Sequence, residues 1–223
     1  MEERRKGALV AAATLAALAI TALATVAAGC GGGDSTTAIS AAGCKEVDAP
    51  EPKEVDLSAP KQTVQAGESL TAVVQTSCGK FTIALDSKRA PKIVNSFVYL
   101  AGQGFYDGLD FNHVVSGFVV QGGDPQRNGA SGPGYTIVEP PPPSTKYTRG
   151  VVAMAKSLEA PSGSAGSQFF VVTSRDTGYP PEYALLGSVN EGYGVVDRIN
   201  KLGTRAEVPK EPVLIEKITI EHG

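Results

Sequence analysis

Apolar and polar residues alternate along the chain from about residue 69, whereas the preceding segment is rich in Pro, Ala and charged residues. Residues 71–76 and 80–85 alternate on either side of a Ser-Cys-Gly turn, which predicts a β-hairpin. In residues 91–100, apolar side chains recur at near-helical spacing after Pro91, which predicts a helix. The folded part of the chain therefore begins with two strands and a helix.

Beyond this helix, short apolar runs with Gly-rich joints predict further strands and one more helix. The predicted strands span residues 111–115, 118–121, 151–154, 169–173, 185–189 and 213–221, and the second helix spans residues 193–202. Many short strands with only two helices predict a mainly β fold built as a closed antiparallel barrel.

The N-terminal segment has the pattern of a signal peptide. Charged residues occupy positions 2–6, and none occurs from Gly7 to Gly29, directly before Cys30. The small residues before Cys30 resemble the bacterial lipobox, at which the Cys is lipidated and becomes the mature N-terminus, although Ala27 stands where Leu is typical. An uncleaved anchor is the alternative, since the uncharged stretch is long enough to span a bilayer. Both interpretations place the rest of the chain outside the cytoplasmic membrane.

The predicted organisation is a signal peptide at residues 1–29, a lipidated tether with a Pro-rich arm at 30–68, and one folded domain at 69–223.

Three cysteines occur in the chain, and two remain once Cys30 is assigned to the lipobox. In an oxidising compartment Cys44 and Cys78 are expected to form a disulfide, which would tie the Pro-rich arm to the hairpin near Gly79. The alternative is two unpaired thiols.

Composition and charge exclude several classes of partner. With a formal net charge of −3, the chain has no basic surface that would favour nucleic acid or anionic lipid. Its two His and its widely separated Cys have no metal-ligand spacing. We therefore expect no nucleic-acid partner and no metal, and any membrane contact must be hydrophobic or covalent.

The most informative segments are Gly117–Asp124, which reads GFVVQGGD, and Gly166–Thr173, which reads GSQFFVVT. Each joins an apolar run typical of a strand to a Gly turn and contains a Gln close to a Phe, as expected of an apolar pocket edged by amide groups. Two such segments in this order resemble those of cyclophilin-type peptidyl-prolyl cis/trans isomerases. The resemblance extends from about residue 71 to 221 and includes GVVAMA at 150–155 and YALLGSVNEGYGVVDRI at 183–199. It implies a cyclophilin-like closed eight-stranded antiparallel β-barrel capped by two α-helices, with the substrate groove on the outer face.

The resemblance also implies an activity, the cis/trans isomerisation of X–Pro bonds. This reaction has a barrier of about 18–20 kcal/mol and needs no nucleophile, metal or cofactor. The catalyst must hold the proline ring in an apolar slot and stabilise the twisted amide by hydrogen bonds. By their positions in the motifs, the resemblance assigns catalytic roles to His113, Phe118, Gln121 and Phe170. It assigns substrate contacts to Val119, Ala155, Lys156, Gln168, Tyr179 and Tyr183.

One residue departs from the family pattern at the position that matters most for the chemistry. Cyclophilins usually have an Arg two residues after the Phe of this strand, whereas this chain has Phe111-Asn112-His113. Because a neutral imidazole is shorter than a guanidinium and has one donor, the transition state should lose about 2–4 kcal/mol of stabilisation, or roughly 10²–10³-fold in rate. Lys156 is a second candidate source of charge in the groove. Tyr179 stands nearest to a Trp that the family often has.

The sequence thus predicts a membrane-tethered prolyl isomerase that assists the folding of exported proteins. The alternative is a proline-peptide-binding module or holdase chaperone with little turnover. Proline-containing polypeptides are the expected partners, cyclosporin-type ligands would use the same groove, and a monomer is the default expectation.

Overall fold

A computed structural model describes residues 38–223, and its main feature is an eight-stranded antiparallel sheet. The strands are β1 (Leu70–Thr76), β2 (Gly79–Leu85), β3 (His113–Val115), β4 (Val119–Gly122), β5 (Ile137–Val138), β6 (Val151–Met154), β7 (Ser164–Ala165), β8 (Phe169–Val172), β9 (Leu185–Glu191) and β10 (Ile215–His222). The strand order of the large sheet is β10-β1-β2-β9-β6-β8-β4-β3, and a second, two-stranded sheet pairs β5 with β7. The helices are α1 (Pro91–Gly102) and α2 (Tyr193–Lys201).

The large sheet is strongly curled, which brings the segments before its two edge strands together. The residues before β3 pair with those before β10 through a bridge between Asp110 and Leu214. The amide of Ile215 donates to the carbonyl of Leu109 at 2.7 Å and extends this junction. The prediction of a mainly β, cyclophilin-like fold with eight antiparallel strands and two helices is confirmed.

Aromatic side chains fill the interior of the curled sheet. Phe169 is completely buried, and its ring contacts those of Phe97, Tyr106 and Phe111 at centroid distances of 5.7, 5.8 and 6.0 Å. Successive residues of a strand face opposite sides, so Phe170 points away from this core. Because the interior is packed with side chains, a substrate site has to lie on the outer face.

Helix α1 begins at Pro91, and its N-terminus is held by a residue distant in sequence. The backbone amides of Lys92 and Ile93 donate to Oε2 of Glu139 at 2.9 and 3.0 Å. A carboxylate at this end satisfies free amides and complements the helix dipole.

The Pro-rich arm is joined to the turn between β1 and β2 by a disulfide between Cys44 and Cys78, as predicted. Further along, the amide of Lys53 donates to the carbonyl of Pro125, and the amide of Leu57 donates to that of Pro133, each at 2.7 Å. The arm therefore contacts the loop that follows β4.

The predicted signal peptide and the lipidation at Cys30 lie outside the described residues. Within residues 38–223, no helix is both long enough and apolar enough to cross a membrane.

Candidate active site

A groove of about 980 Å³ opens on the outer face of the sheet, over strands β3, β4 and β8. The register of these strands places His113 opposite Gln121, and Gln121 opposite Phe170. Side chains directly opposite each other on antiparallel strands share a face and lie close together. Pairing of the strands therefore brings the two sequence motifs to one surface.

Four aromatic rings form the apolar part of the groove. The ring of Tyr179 lies 5.4 Å from that of Phe118, 6.4 Å from that of Phe170 and 5.0 Å from that of Tyr183. The rings of Phe170 and Tyr183 are 5.5 Å apart, and Val119 is buried beside them. Burial is the largest cause that raises the pKa of Tyr179, and the charges of Tyr183 and Glu207 raise it further. The hydroxyl of Tyr179 therefore stays protonated at neutral pH.

Tyr147 supports this cluster from behind and has no counterpart in the sequence predictions. Its hydroxyl donates to the carbonyl of Tyr183 at 2.5 Å and accepts from the amide of the same residue at 2.9 Å. Burial raises the pKa of Tyr147 to about 12. No local pattern could have identified it, because its role depends on contacts 36 residues away.

Two amide side chains form the polar edge of the groove. Nε2 of Gln121 donates to Oε1 of Gln168 at 3.0 Å, and Nε2 of Gln168 donates to the carbonyl of Ser131 at 2.9 Å. Ser131 belongs to the loop after β4, in which the buried carboxylate of Asp124 accepts hydrogen bonds from the amide of Gly129 and the hydroxyl of Ser131. The amide groups are thus anchored to a loop that is itself internally bonded.

His113 lies at the edge of the same groove, with 40% of its side chain exposed. Its Nε2 is 3.1 Å from Oε2 of Glu207, a residue of the turn after α2 that the sequence predictions did not include. In an adjoining hollow beside His113, Nε of Arg127 donates to Oδ2 of the buried Asp110 at 3.2 Å, and Nη2 of Arg127 lies 3.1 Å from the same oxygen.

The predicted substrate contacts in the two residues after β6 are engaged within the protein. The amide of Ala155 donates to the carbonyl of Gln168 at 2.9 Å. Nζ of Lys156 donates to the carbonyls of Ser157 and Ala160 at 3.2 and 3.1 Å, and only 3% of this side chain is exposed. The ammonium of Lys156 therefore holds the rim loop together instead of extending across the groove.

An apolar slot edged by amides, without a nucleophile between them, suits binding of a proline ring more than hydrolysis. Residues 71–220 match the family described as "Cyclophilin type peptidyl-prolyl cis-trans isomerase/CLD". This protein belongs to the cyclophilin family.

Peptidyl-prolyl cis-trans isomerase A of Mycobacterium tuberculosis is 36% identical over 170 residues, which cover 67% of this cyclophilin and 91% of the relative. Peptidyl-prolyl cis-trans isomerase B of Streptomyces anulatus is 37% identical, with 69% and 98% covered. The crystal structure of a Cryptosporidium parvum cyclophilin in the presence of the dipeptide Ala-Pro superposes with a TM-score of 0.63 at 27% identity, and covers 69% of this chain and 99% of its own.

Because it belongs to this family, the protein is a peptidyl-prolyl cis-trans isomerase. Among residues 38–223, no group of three or more His, Cys, Asp or Glu side chains is placed to hold a metal ion.

Proposed function

We propose that this cyclophilin isomerises X–Pro bonds in exported proteins, at a rate reduced by the presence of His113 in place of the usual Arg. The observation that carries the proposal is the juxtaposition of an aromatic slot, formed by Phe118, Phe170 and Tyr179, with the amides of Gln121 and Gln168. The slot provides the apolar contact that a proline ring requires, and the amides provide hydrogen bonds for the peptide on either side of it.

The proposed mechanism depends on positioning and not on bond chemistry. With the proline ring held against Phe118 and Phe170, the preceding carbonyl is free to rotate about the amide bond. Rotation removes the resonance of the amide, so donors that bind the twisted form better than the planar one lower the barrier. The side chain at position 113 lies opposite Gln121 at this edge, where such a donor would act.

A reduced rate follows from the state of His113. Its Nε2 is engaged with Glu207 at 3.1 Å, which leaves at most one other ring nitrogen for a substrate. A guanidinium in the same place would present five N–H groups. We therefore expect a rate about 10²–10³-fold below that of a variant with Arg.

A location outside the cytoplasmic membrane is supported by two features. The N-terminal segment ends in the lipobox-like sequence before Cys30, which would anchor the protein to the membrane through a lipid. The disulfide between Cys44 and Cys78 is of a kind that persists in oxidising compartments. Exported polypeptides that contain proline are accordingly the proposed substrates.

The second candidate function is a proline-binding chaperone module with little turnover. The contact between His113 and Glu207 favours it, because a groove can bind a proline without a strong donor to the twisted amide. Both candidates use the same aromatic slot, so a rate measurement has to separate them.

The test is NMR exchange spectroscopy of an Ala-Pro-containing peptide with the full-length protein in a mild non-ionic detergent. We expect measurable exchange with the natural protein and a rise of about 10²–10³-fold on His113→Arg, with little change in peptide affinity. His222→Arg is the matched control, because it adds the same guanidinium at an exposed position beside the C-terminus.

The outcomes distinguish the candidates. Exchange by the natural protein establishes a working isomerase, whereas peptide binding without exchange establishes the chaperone module. If His113→Arg changes neither rate nor affinity, the proposed role of position 113 is wrong.

A further inference from the structure

The turn after α2 is folded onto the edge of the sheet beside the groove. The carbonyl of Glu207 accepts from the amide of Val114, in β3, at 2.8 Å. Within the turn, the amide of Thr204 donates to the carbonyl of Val208 at 3.0 Å, and Gly203 approaches Val114 so closely that a Cβ would lie 2.7 Å from its carbonyl oxygen. These contacts hold Glu207 in a fixed position relative to β3.

The backbone of Glu207 has an unusual conformation that directs its side chain. Its φ is +62°, in the left-handed region that residues with a Cβ rarely adopt. From there the carboxylate reaches His113 and forms part of the groove wall. Its negative charge is also one cause of the raised pKa of Tyr179, after burial and Tyr183. The carboxylate therefore acts on both the polar and the aromatic side of the groove.

This carboxylate differs from the other charged groups nearby because it is accessible. Among residues 38–223, the Lys, Arg, His, Asp and Glu side chains that line the groove are His113, Lys156 and Glu207. Lys156 is 3% exposed and bonded to backbone carbonyls, whereas Glu207 is 60% exposed. Arg127, in an adjoining hollow, is paired with the buried Asp110. The accessible fixed charge of the groove wall is thus negative.

We propose that Glu207 makes the groove select prolyl peptides with a Lys or Arg at the second residue before the proline or at the residue after it. Oε2 of Glu207 is engaged with His113, and Oε1 accepts no hydrogen bond from any residue that the structure describes, so it is available to an ammonium or guanidinium. An acidic residue at the same place in the peptide would be repelled. The proposal rests on the proposed isomerase function and names the class of substrate.

The size of the effect follows from the exposure of the carboxylate. Ion pairs that are partly open to water change binding by modest amounts, so we expect a preference of about 2–5-fold for Lys over Glu in kcat/KM. Because such pairs are screened, the preference should shrink when the ionic strength is raised to about 1 M, where the Debye length is about 3 Å.

The experiment compares Lys, Ala and Glu at one peptide position by NMR exchange, again with the full-length protein in non-ionic detergent at low salt. One peptide series varies the second residue before the proline, and a second series varies the residue after it. We expect the order Lys, Ala, Glu in at least one series, and loss of that order in Glu207→Gln, which keeps the side-chain shape and a hydrogen-bond acceptor. Glu191→Gln, which removes an exposed carboxylate outside the groove wall, should retain the order.

Equal rates for the three peptides in both series, or an order that Glu207→Gln leaves unchanged, would overturn the proposal while the isomerase function stands. If the Ala peptide itself shows no exchange, the isomerase function fails, and the same peptides are compared by their dissociation constants from chemical-shift titration. A Lys preference in binding that Glu207→Gln abolishes supports the proposal in that case, and equal dissociation constants overturn it.

Discussion

Asp110 lies where the segment before β3 pairs with the segment before β10, and its environment makes it sensitive to pH. Its side chain is 1% exposed, and Oδ2 accepts from Arg127 while Oδ1 has no partner among residues 38–223. Burial raises the pKa of Asp110, although the charge and hydrogen bond of Arg127 act in the opposite direction. The folded protein therefore holds the Asp110 proton more tightly than the unfolded chain does.

Stability from a raised pKa is fully present below the unfolded pKa, about 3.9 for Asp, and is lost as the pH rises through the folded value. The Asn side chain of the Asp110→Asn variant does not ionise, so this variant does not lose stability in this way as the pH rises. We therefore expect the free energy of unfolding of Asp110→Asn, relative to the natural protein, to rise between about pH 4 and pH 7. Urea unfolding at several pH values measures the difference, with the exposed Asp48→Asn as control. A difference that is constant with pH would contradict the assignment.

Residues of the groove fall into two groups according to how far the sequence could predict them. Gln121 and Phe170 lie within contiguous motifs, and the alternation of a strand fixes which face they share. Glu207 comes from a turn 94 residues from His113, and its approach depends on the packing of that turn against β3. No local periodicity encodes such a contact.

Helix α1 illustrates how an element depends on a distant side chain. The carboxylate of Glu139 accepts from two amides of its first turn, so Glu139→Ala should lower the free energy of unfolding by about 1 kcal/mol. Glu139→Gln keeps an acceptor oxygen and loses only the charge, so its effect should be smaller. Urea midpoints of the two variants measure this order, and an unchanged midpoint in Glu139→Ala would rule out a capping role.

Most elements could be predicted because each carries its own hydrophobic period. The hairpin, α1 and β6 lie within two residues of their predicted bounds. β3 begins at His113 and not at residue 111, because the preceding residues pair with the segment before β10. β5 and β7 were missed, since two residues are too few for a period to be visible.

The disulfide joins the Pro-rich arm to the hairpin of β1 and β2. The arm has few apolar residues, and the bond between Cys44 and Cys78 closes a loop with a sequence separation of 34. In the chain-entropy model, such a cross-link contributes about 3–4 kcal/mol by restricting the unfolded chain. Cys44→Ser combined with Cys78→Ser should lower the free energy of unfolding by this amount, as measured by urea denaturation.

A reducing agent should produce the same loss in the natural protein. Cys30→Ser, which leaves the disulfide intact, should not produce it. Equal stability with and without the reducing agent would show that the hydrogen bonds of the arm suffice to hold it.

The hydrogen bonds from Lys53 and Leu57 to the carbonyls of Pro125 and Pro133 show that residues of the arm support the groove. The family match starts at residue 71, but one wall of the groove is braced by backbone that precedes it. A fragment trimmed to residues 71–220 would leave these two carbonyls to water and would lose the outer support of the loop that carries Ser131, the anchor of Gln168. The folded unit that forms the groove therefore includes residues that precede the family match.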